Sequence, residues 1–183
     1  MNARTWLTLI AAVTISIPPS LVAQPRASTD TPIGVVAQLY QDYAWEVVVS
    51  TPNMRTGLMD ESRELLENYF DSRLARLIVQ DRECRARTKA VCNMSGLPIW
   101  DSNDPEAFDL AVAPTNDSTV VAVSFRRRYP QPGGTTVRLS FRMVRSSHGW
   151  RVQDIVREDG TSLVKLLTTS GGVIENSHKE SPP

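Results

Sequence analysis

The sequence predicts an α+β domain, in which N-terminal helices pack on a curved antiparallel β-sheet formed by the second half of the chain. Apolar and polar residues alternate at 136–143 and again at 149–156, as in two half-buried strands joined by a short turn. Amphipathic segments with helical spacing precede these strands. Helices followed by antiparallel strands are typical of α+β domains. Such a sheet can curve into a cone, with a pocket between its concave face and the first helix.

The predicted last strand, 149–156, contains a conflict in its alternation. If Trp150 and Val152 face the core, strict alternation turns Asp154 inward and Ile155 outward. A β-bulge near Asp154 would return Ile155 to the core and leave the carboxylate to cap backbone N–H groups or to pair with an arginine. The alternative is that Asp154 is an acid or base with a raised pKa at the mouth of a pocket. We favour the bulge.

The first 23 residues have the pattern of a secretory signal peptide. Arg4 precedes an apolar run at 6–17 that is too short to cross a bilayer, and the small residue Ala23 allows cleavage before Gln24. We therefore predict a periplasmic or secreted protein without a stable membrane span after cleavage. The predicted organisation is a signal peptide at 1–23, a linker at 24–31, a single α+β domain at 32–168 and a disordered tail at 169–183.

The chain has two cysteines, Cys84 and Cys92, which we expect to form a disulfide bond in an exported protein. Closing a loop of about nine residues would stabilise the fold by roughly 2.5 kcal/mol. A zinc site would need two further ligands. The only histidines, His148 and His178, lie beside a predicted turn and in the predicted tail. We predict neither a metal nor a cofactor.

Charge and motif content argue against two functional classes. The 20 lysines and arginines balance the 20 aspartates and glutamates, so the chain lacks the basic excess of a nucleic-acid-binding domain. The neighbours Ser147 and His148 do not suggest a hydrolase, because adjacent side chains in a turn rarely point at each other and no acid to orient the histidine is evident. We predict no catalytic residues and no nucleic-acid partner.

Three helical segments are predicted before the sheet. The first is capped by Asp30 or Thr31, has Pro32 at its first position and ends before Pro52. The second spans 58–70, and the third, capped by Asp71 or Ser72, spans 73–83.

The remaining elements alternate between strands and loops. An irregular excursion at 85–104 surrounds Trp100, which either covers the edge of the core, the interpretation we favour, or closes as a lid over a ligand. Strands follow at 108–112 and 119–129, and residues 162–167 form a helical turn or a short strand.

Four residues are candidates for ligand binding. Two arginines lie on the polar side of the strand at 136–143, one tryptophan lies in the long excursion, and one aspartate lies in the last strand. They are Arg138, Arg142, Trp100 and Asp154.

Several short segments resemble one known family. They are Trp150 to Ile155, Gly160 with Ser162 and Leu163, Leu166 with Leu167, Tyr69 to Leu74, and Asp104 and Pro105 with Phe108. They resemble a bacterial domain-of-unknown-function family of exported proteins and lipoproteins with a nuclear-transport-factor-2-like, cystatin-type cone fold. The resemblance covers about residues 32–167 and implies an exported cone-shaped domain. The chain lacks the lipid-anchored cysteine of the lipoprotein members, and the excursion with Cys84 and Cys92 is not part of the match. The ending of the chain is also similar to that of periplasmic phospholipid carriers of the toluene-tolerance type, which are more helical before the sheet.

Three functions follow from these observations. The favoured one is a non-enzymatic periplasmic domain that binds or inhibits a peptide, a protein or an envelope component. The first alternative is a carrier that holds a lipid or another apolar ligand against Val137, Leu139, Phe141 and Trp150, unless this face is simply core. The second alternative is a small isomerase or dehydratase with Asp154 as its general base.

Overall fold

Four antiparallel strands form one sheet in the order β1-β2-β3-β4, and helices cover one of its faces. The computed structural model describes residues 30–47, 56–103, 106–131 and 134–169. The predicted signal peptide, the linker up to residue 29, Asp104 and Pro105, and the tail beyond residue 169 lie outside the described residues. In chain order the elements are α1 (Pro32–Tyr43), two 3-10 turns (Ala44–Val47 and Leu58–Asp60), α2 (Arg63–Leu66), α3 (Ser72–Thr88), β1 (Ala107–Pro114), β2 (Val120–Gln131), β3 (Gly134–Ser146), β4 (Gly149–Arg157) and α4 (Leu163–Thr168).

The predicted alternation of β3 is confirmed. Val137, Leu139, Phe141 and Met143 are all buried on the face toward the helices, and Phe141 lies opposite Val121 of β2 and Ile155 of β4. The α+β class is therefore confirmed, whereas the finer cone assignment stays a prediction.

Helix α1 begins as predicted. Thr31 is its N-cap and accepts a hydrogen bond on Oγ1 from the backbone N–H of Gly34, while Pro32 occupies the first turn. Val36 and Tyr40, four residues apart, are buried against the sheet. Helix α1 thus contributes apolar side chains to the core between the helices and the sheet.

The prediction of a single helix at 58–70 is wrong. The segment forms a 3-10 turn and the one-turn helix α2, and Leu65 is 48% exposed. After α2 the backbone pairs with β4: Val152 donates to the carbonyl of Tyr69 (2.8 Å) and Asp71 donates to the carbonyl of Val152 (2.9 Å). Pairing at the open edge of β4 satisfies backbone groups that a continuous helix would have used internally.

Helix α3 is capped as predicted but is longer than predicted. Asp71 accepts from the N–H of Leu74, and the helix continues past Glu83 to Thr88. Cys84 therefore lies on the helix, and its disulfide bond to Cys92 is confirmed, with the Cα atoms 6.2 Å apart. The irregular excursion begins only at Lys89.

Residues 94–101, which we call the inserted segment, pack against the face of the sheet that the helices cover. Met94, Ile99 and Trp100 are buried there. The Trp100 ring makes edge-to-face contacts with Tyr40 (4.9 Å between centroids) and Phe125 (5.7 Å). The space between α1 and the sheet is thus occupied by the protein's own side chains.

The tryptophan at the centre of the core is Trp100 and not Trp150. Trp150 lies opposite Arg145 near the β3–β4 turn and is only partly buried, and the Arg145 guanidinium lies 5.9 Å from the ring centroid. The alternation of the last strand predicts Trp150 on its core face. In the structure it packs only partly against the core, because the strand places it at the end of the sheet.

Removal of the disulfide bond tests how far the inserted segment depends on it. We expect the double variant C84S/C92S to unfold with a free energy about 2.5 kcal/mol lower than that of the wild type, because the unfolded chain regains loop entropy. Urea denaturation with and without reductant measures this, and reductant should lower the stability of the wild type only. An equal stability of variant and wild type would contradict the prediction.

Candidate functional site

The predicted β-bulge in the last strand is present. Met143 lies opposite Val152 and Arg142 lies opposite Asp154, so Gln153 is the extra residue on β4. The bulge resets the alternation, and Ile155 is buried in the core.

Asp154 is buried, with 7% of the residue exposed. Its Oδ2 accepts from the hydroxyl of Ser162 (2.7 Å), and its Oδ1 accepts from the backbone N–H of Val164 (3.0 Å). Ser162 in turn caps α4 by accepting from the N–H of Lys165. Asp154 therefore ties the start of α4 to β4, and both oxygens are engaged within the fold.

A small cavity of about 20 Å³ lies beside Ile155, Pro98 and Leu163, and Asp154 is not among the residues that line it. That is room for about one water molecule. A general base needs a substrate within hydrogen-bonding reach, so this geometry gives no support to a catalytic Asp154.

Trp100 is 1% exposed and its indole N–H is engaged. The N–H donates to Oε2 of Glu46 (2.9 Å), and Oε1 of Glu46 accepts from the N–H of Leu58 (2.8 Å). Burial raises the pKa of Glu46, although these two hydrogen bonds act in the opposite direction. The arrangement is that of a residue inside the core, whereas the sequence favoured a cover at the edge of the core.

The phenols of Tyr43 and Tyr69 form a cluster with the carboxylate of Asp42. The sequence did not predict this cluster. Tyr69 donates from its hydroxyl to Oδ2 of Asp42 (2.5 Å), and its ring lies edge-to-face with that of Tyr43. Burial and the neighbouring carboxylates raise the pKa of both tyrosines. The phenols therefore stay protonated at neutral pH and serve as hydrogen-bond donors. No sequence signal links Asp42 to Tyr69, because they meet only in the fold.

A cleft of about 530 Å³ separates the start of α3 from the β3–β4 turn. Ser147 Oγ and His148 Nδ1 lie 3.2 Å apart on its rim, so the expectation that these neighbours do not point at each other is wrong. A tight turn can bring adjacent side chains together. In the part of the chain that the structure describes, no acid is hydrogen-bonded to the His148 ring. The nearby Asp71 caps α3, so no triad forms.

Arg138 and Arg142 lie on the face of the sheet opposite the helices, and both are exposed. Arg138 pairs with Glu158 (3.2 Å). Arg142 forms no ion pair with any of the described residues. The structure thus separates the four candidates into two buried residues, Trp100 and Asp154, and two exposed arginines. Their role in ligand binding stays a prediction.

The described ranges contain neither a candidate membrane span nor a candidate metal site. None of the helices at 30–47, 56–103 or 134–169 combines the length and apolar character that a bilayer span requires. Within the same ranges, no three side chains of histidine, cysteine, aspartate or glutamate are grouped so that they could hold a metal ion.

Comparison with solved structures shows distant similarity alone. No protein family matches the sequence, and no curated protein matches it either. A crystal structure of a protein of unknown function from Bacteroides thetaiotaomicron is similar in fold, with 18% sequence identity and a TM-score of 0.37 over 68% of this chain and 87% of that chain. The nuclear-transport-factor-2-like assignment remains a prediction.

Replacement of Asp154 tests its structural role. We expect D154A to lower the free energy of unfolding by about 2–3 kcal/mol, because it removes two hydrogen bonds to a charged acceptor and leaves the N–H of Val164 without its partner. S162A should lose a similar amount, because it removes both the hydrogen bond to Asp154 and the cap on the N–H of Lys165. Urea denaturation measures both variants. A D154A protein as stable as the wild type would show that the carboxylate does not hold α4.

Proposed function

We propose that this chain is an exported, non-enzymatic domain that binds a protein, a peptide or another envelope component through its outer surface. The observation that carries the proposal is that Trp100 and Ile99 fill the space between α1 and the sheet, where a cone-shaped domain would hold a small ligand. With the interior occupied, recognition falls to the exterior.

Two further observations support export. The disulfide bond between Cys84 and Cys92 is typical of proteins outside the reducing cytoplasm. The N-terminal pattern of a charge followed by a short apolar run and Ala23 is typical of a secretory signal. The resemblance to an exported family of unknown function agrees with this location.

The alternative of an apolar carrier has less support. The carrier hypothesis places the ligand against Val137, Leu139 and Phe141. These residues are buried in the protein's own core, and the ring centroids of Phe141 and Tyr40 lie 5.9 Å apart. A lipid would have to displace Trp100, which would cost its hydrogen bond to Glu46 as well as its packing.

The location and the ligand are tested on the full chain with a C-terminal epitope, expressed in a Gram-negative bacterium beside a matched chain that lacks residues 1–23. We expect the full chain to lose its N-terminal segment, to oxidise and to appear in the periplasmic fraction, and the truncated chain to remain in the cytoplasm. Native mass spectrometry of the purified periplasmic protein should give the mass of the polypeptide alone.

Binding is then measured by capture from envelope extracts, followed by titration of the purified component against the purified domain. A saturable complex between the two is the expected result. A solvent-extractable lipid of fixed stoichiometry would overturn the proposal in favour of the carrier. Cytoplasmic retention of the full chain, or the absence of any component that rebinds, would also overturn it.

A further inference from the structure

The face of the sheet that points away from the helices has small residues at its centre and arginines around them. We call it the outer face and define it by Ala122, Ser124, Arg126, Arg138, Ser140 and Arg142. Ala122 lies opposite Ser140, and Ser124 lies opposite Arg138. The small side chains leave a flat floor from which the arginines project.

The arginines of the outer face are free to exchange partners. Arg138 pairs with Glu158 and Arg126 pairs with Asp109, but all four side chains are at least 60% exposed. Ion pairs at such exposed positions contribute on the order of 0–1 kcal/mol, so an incoming carboxylate can replace either acid. Arg142 is exposed and forms no ion pair with the described residues. Asp154 lies opposite it on β4, but the two oxygens of Asp154 accept from Ser162 and Val164.

The spacing of the arginines suits an extended partner. Arg138 and Arg142 lie four residues apart on β3, which places their Cα atoms roughly 13 Å apart along the strand. Guanidinium groups bind carboxylates through two parallel hydrogen bonds, so each arginine can receive one acidic side chain.

The acidic residues near the outer face indicate which class of partner can bind there. Asp109 on β1 and Glu158 after β4 stand at opposite margins of the outer face, and the chain as a whole has a net charge of +0. A nucleic acid or an anionic membrane presents uniform negative charge and would be repelled by these margins. A protein segment can place carboxylates over the arginines and polar or basic groups over the margins.

A second copy of the chain fits less well. A twofold contact between two outer faces, centred near Ser140, would bring Arg138 and Arg142 of one copy toward the same residues of the other, because the two arginines flank Ser140 on β3. Like charges in such a contact oppose association.

We propose that the outer face binds an acidic, extended segment of a protein partner, with Arg138 and Arg142 each receiving a carboxylate. The inference rests on the proposed function and names the surface and the partner class for it.

The test compares R138Q/R142Q with R73Q/R76Q in the full chain. The control removes the same charge from two exposed arginines of α3, on the other side of the molecule, and circular dichroism and urea denaturation show whether both variants fold. The probe is a labelled peptide in which glutamate alternates with serine and threonine, and the reference peptide has glutamine at the same positions. Fluorescence anisotropy at low and high salt gives the affinities.

We expect the acidic peptide to bind the wild type in preference to the glutamine peptide. R138Q/R142Q should weaken that binding by about tenfold, as expected for the loss of charged hydrogen bonds, while R73Q/R76Q should change it by less than about twofold. High salt should reduce the difference between the variants.

Several outcomes overturn the inference. They are the absence of peptide binding, equal loss in both variants, preferential binding of phosphatidylglycerol vesicles or duplex DNA through the same arginines, and a dimer in light scattering that only R138Q/R142Q dissociates. If the captured envelope component binds R138Q/R142Q as tightly as the wild type, the inference fails and the proposed function stands. If no component rebinds the wild type, the proposed function itself fails.

Discussion

The insertion of Ile99 and Trp100 between α1 and the sheet is the constraint on which the fold depends. The hydroxyl of Tyr40 donates to the carbonyl of Ile99 (2.6 Å), and the indole of Trp100 donates to Glu46, so both residues are fixed by polar as well as apolar contacts. A buried Trp–Tyr–Phe group of this kind contributes a large apolar area with little loss of side-chain freedom. The inserted segment, although irregular in backbone, is therefore part of the core.

Both ends of the inserted segment are anchored by charged groups. Before it, Asp81 of α3 accepts from the backbone N–H groups of Asn93 and Met94, beside the disulfide bond. At its last residue, the Asp101 carboxylate pairs with Arg127 of β2 (2.8 Å) and Arg157 of β4 (2.6 Å). The segment is thus attached to a helix and to two strands, which explains how an excursion without regular structure can remain buried.

Local patterns predicted the parts of the fold that local physics decides. The alternation of β3, the cap at Thr31, the cap at Asp71 and the bulge near Asp154 all follow from neighbours in sequence. The segment at 58–70 could not be predicted in this way, because its apolar spacing is helical while its backbone pairs with the distant Val152. Tertiary pairing overrode the local preference.

The candidate site shows the same division. The sequence could not tell that Trp100 rather than Trp150 fills the core, because the choice depends on Glu46 and Tyr40, more than fifty residues away. The exposure of Arg138 and Arg142 did follow from the alternation of β3.

Hydrogen exchange of the tryptophan indole N–H groups, followed by NMR, tests most directly whether Trp100 fills the space between α1 and the sheet. The account predicts that the Trp100 N–H exchanges only through global unfolding, with the Trp150 N–H exchanging much faster, and the variants W100F and W150F assign the two resonances. Rapid exchange at Trp100 in the folded protein would mean that solvent or a ligand enters the space between α1 and the sheet, and would contradict the account.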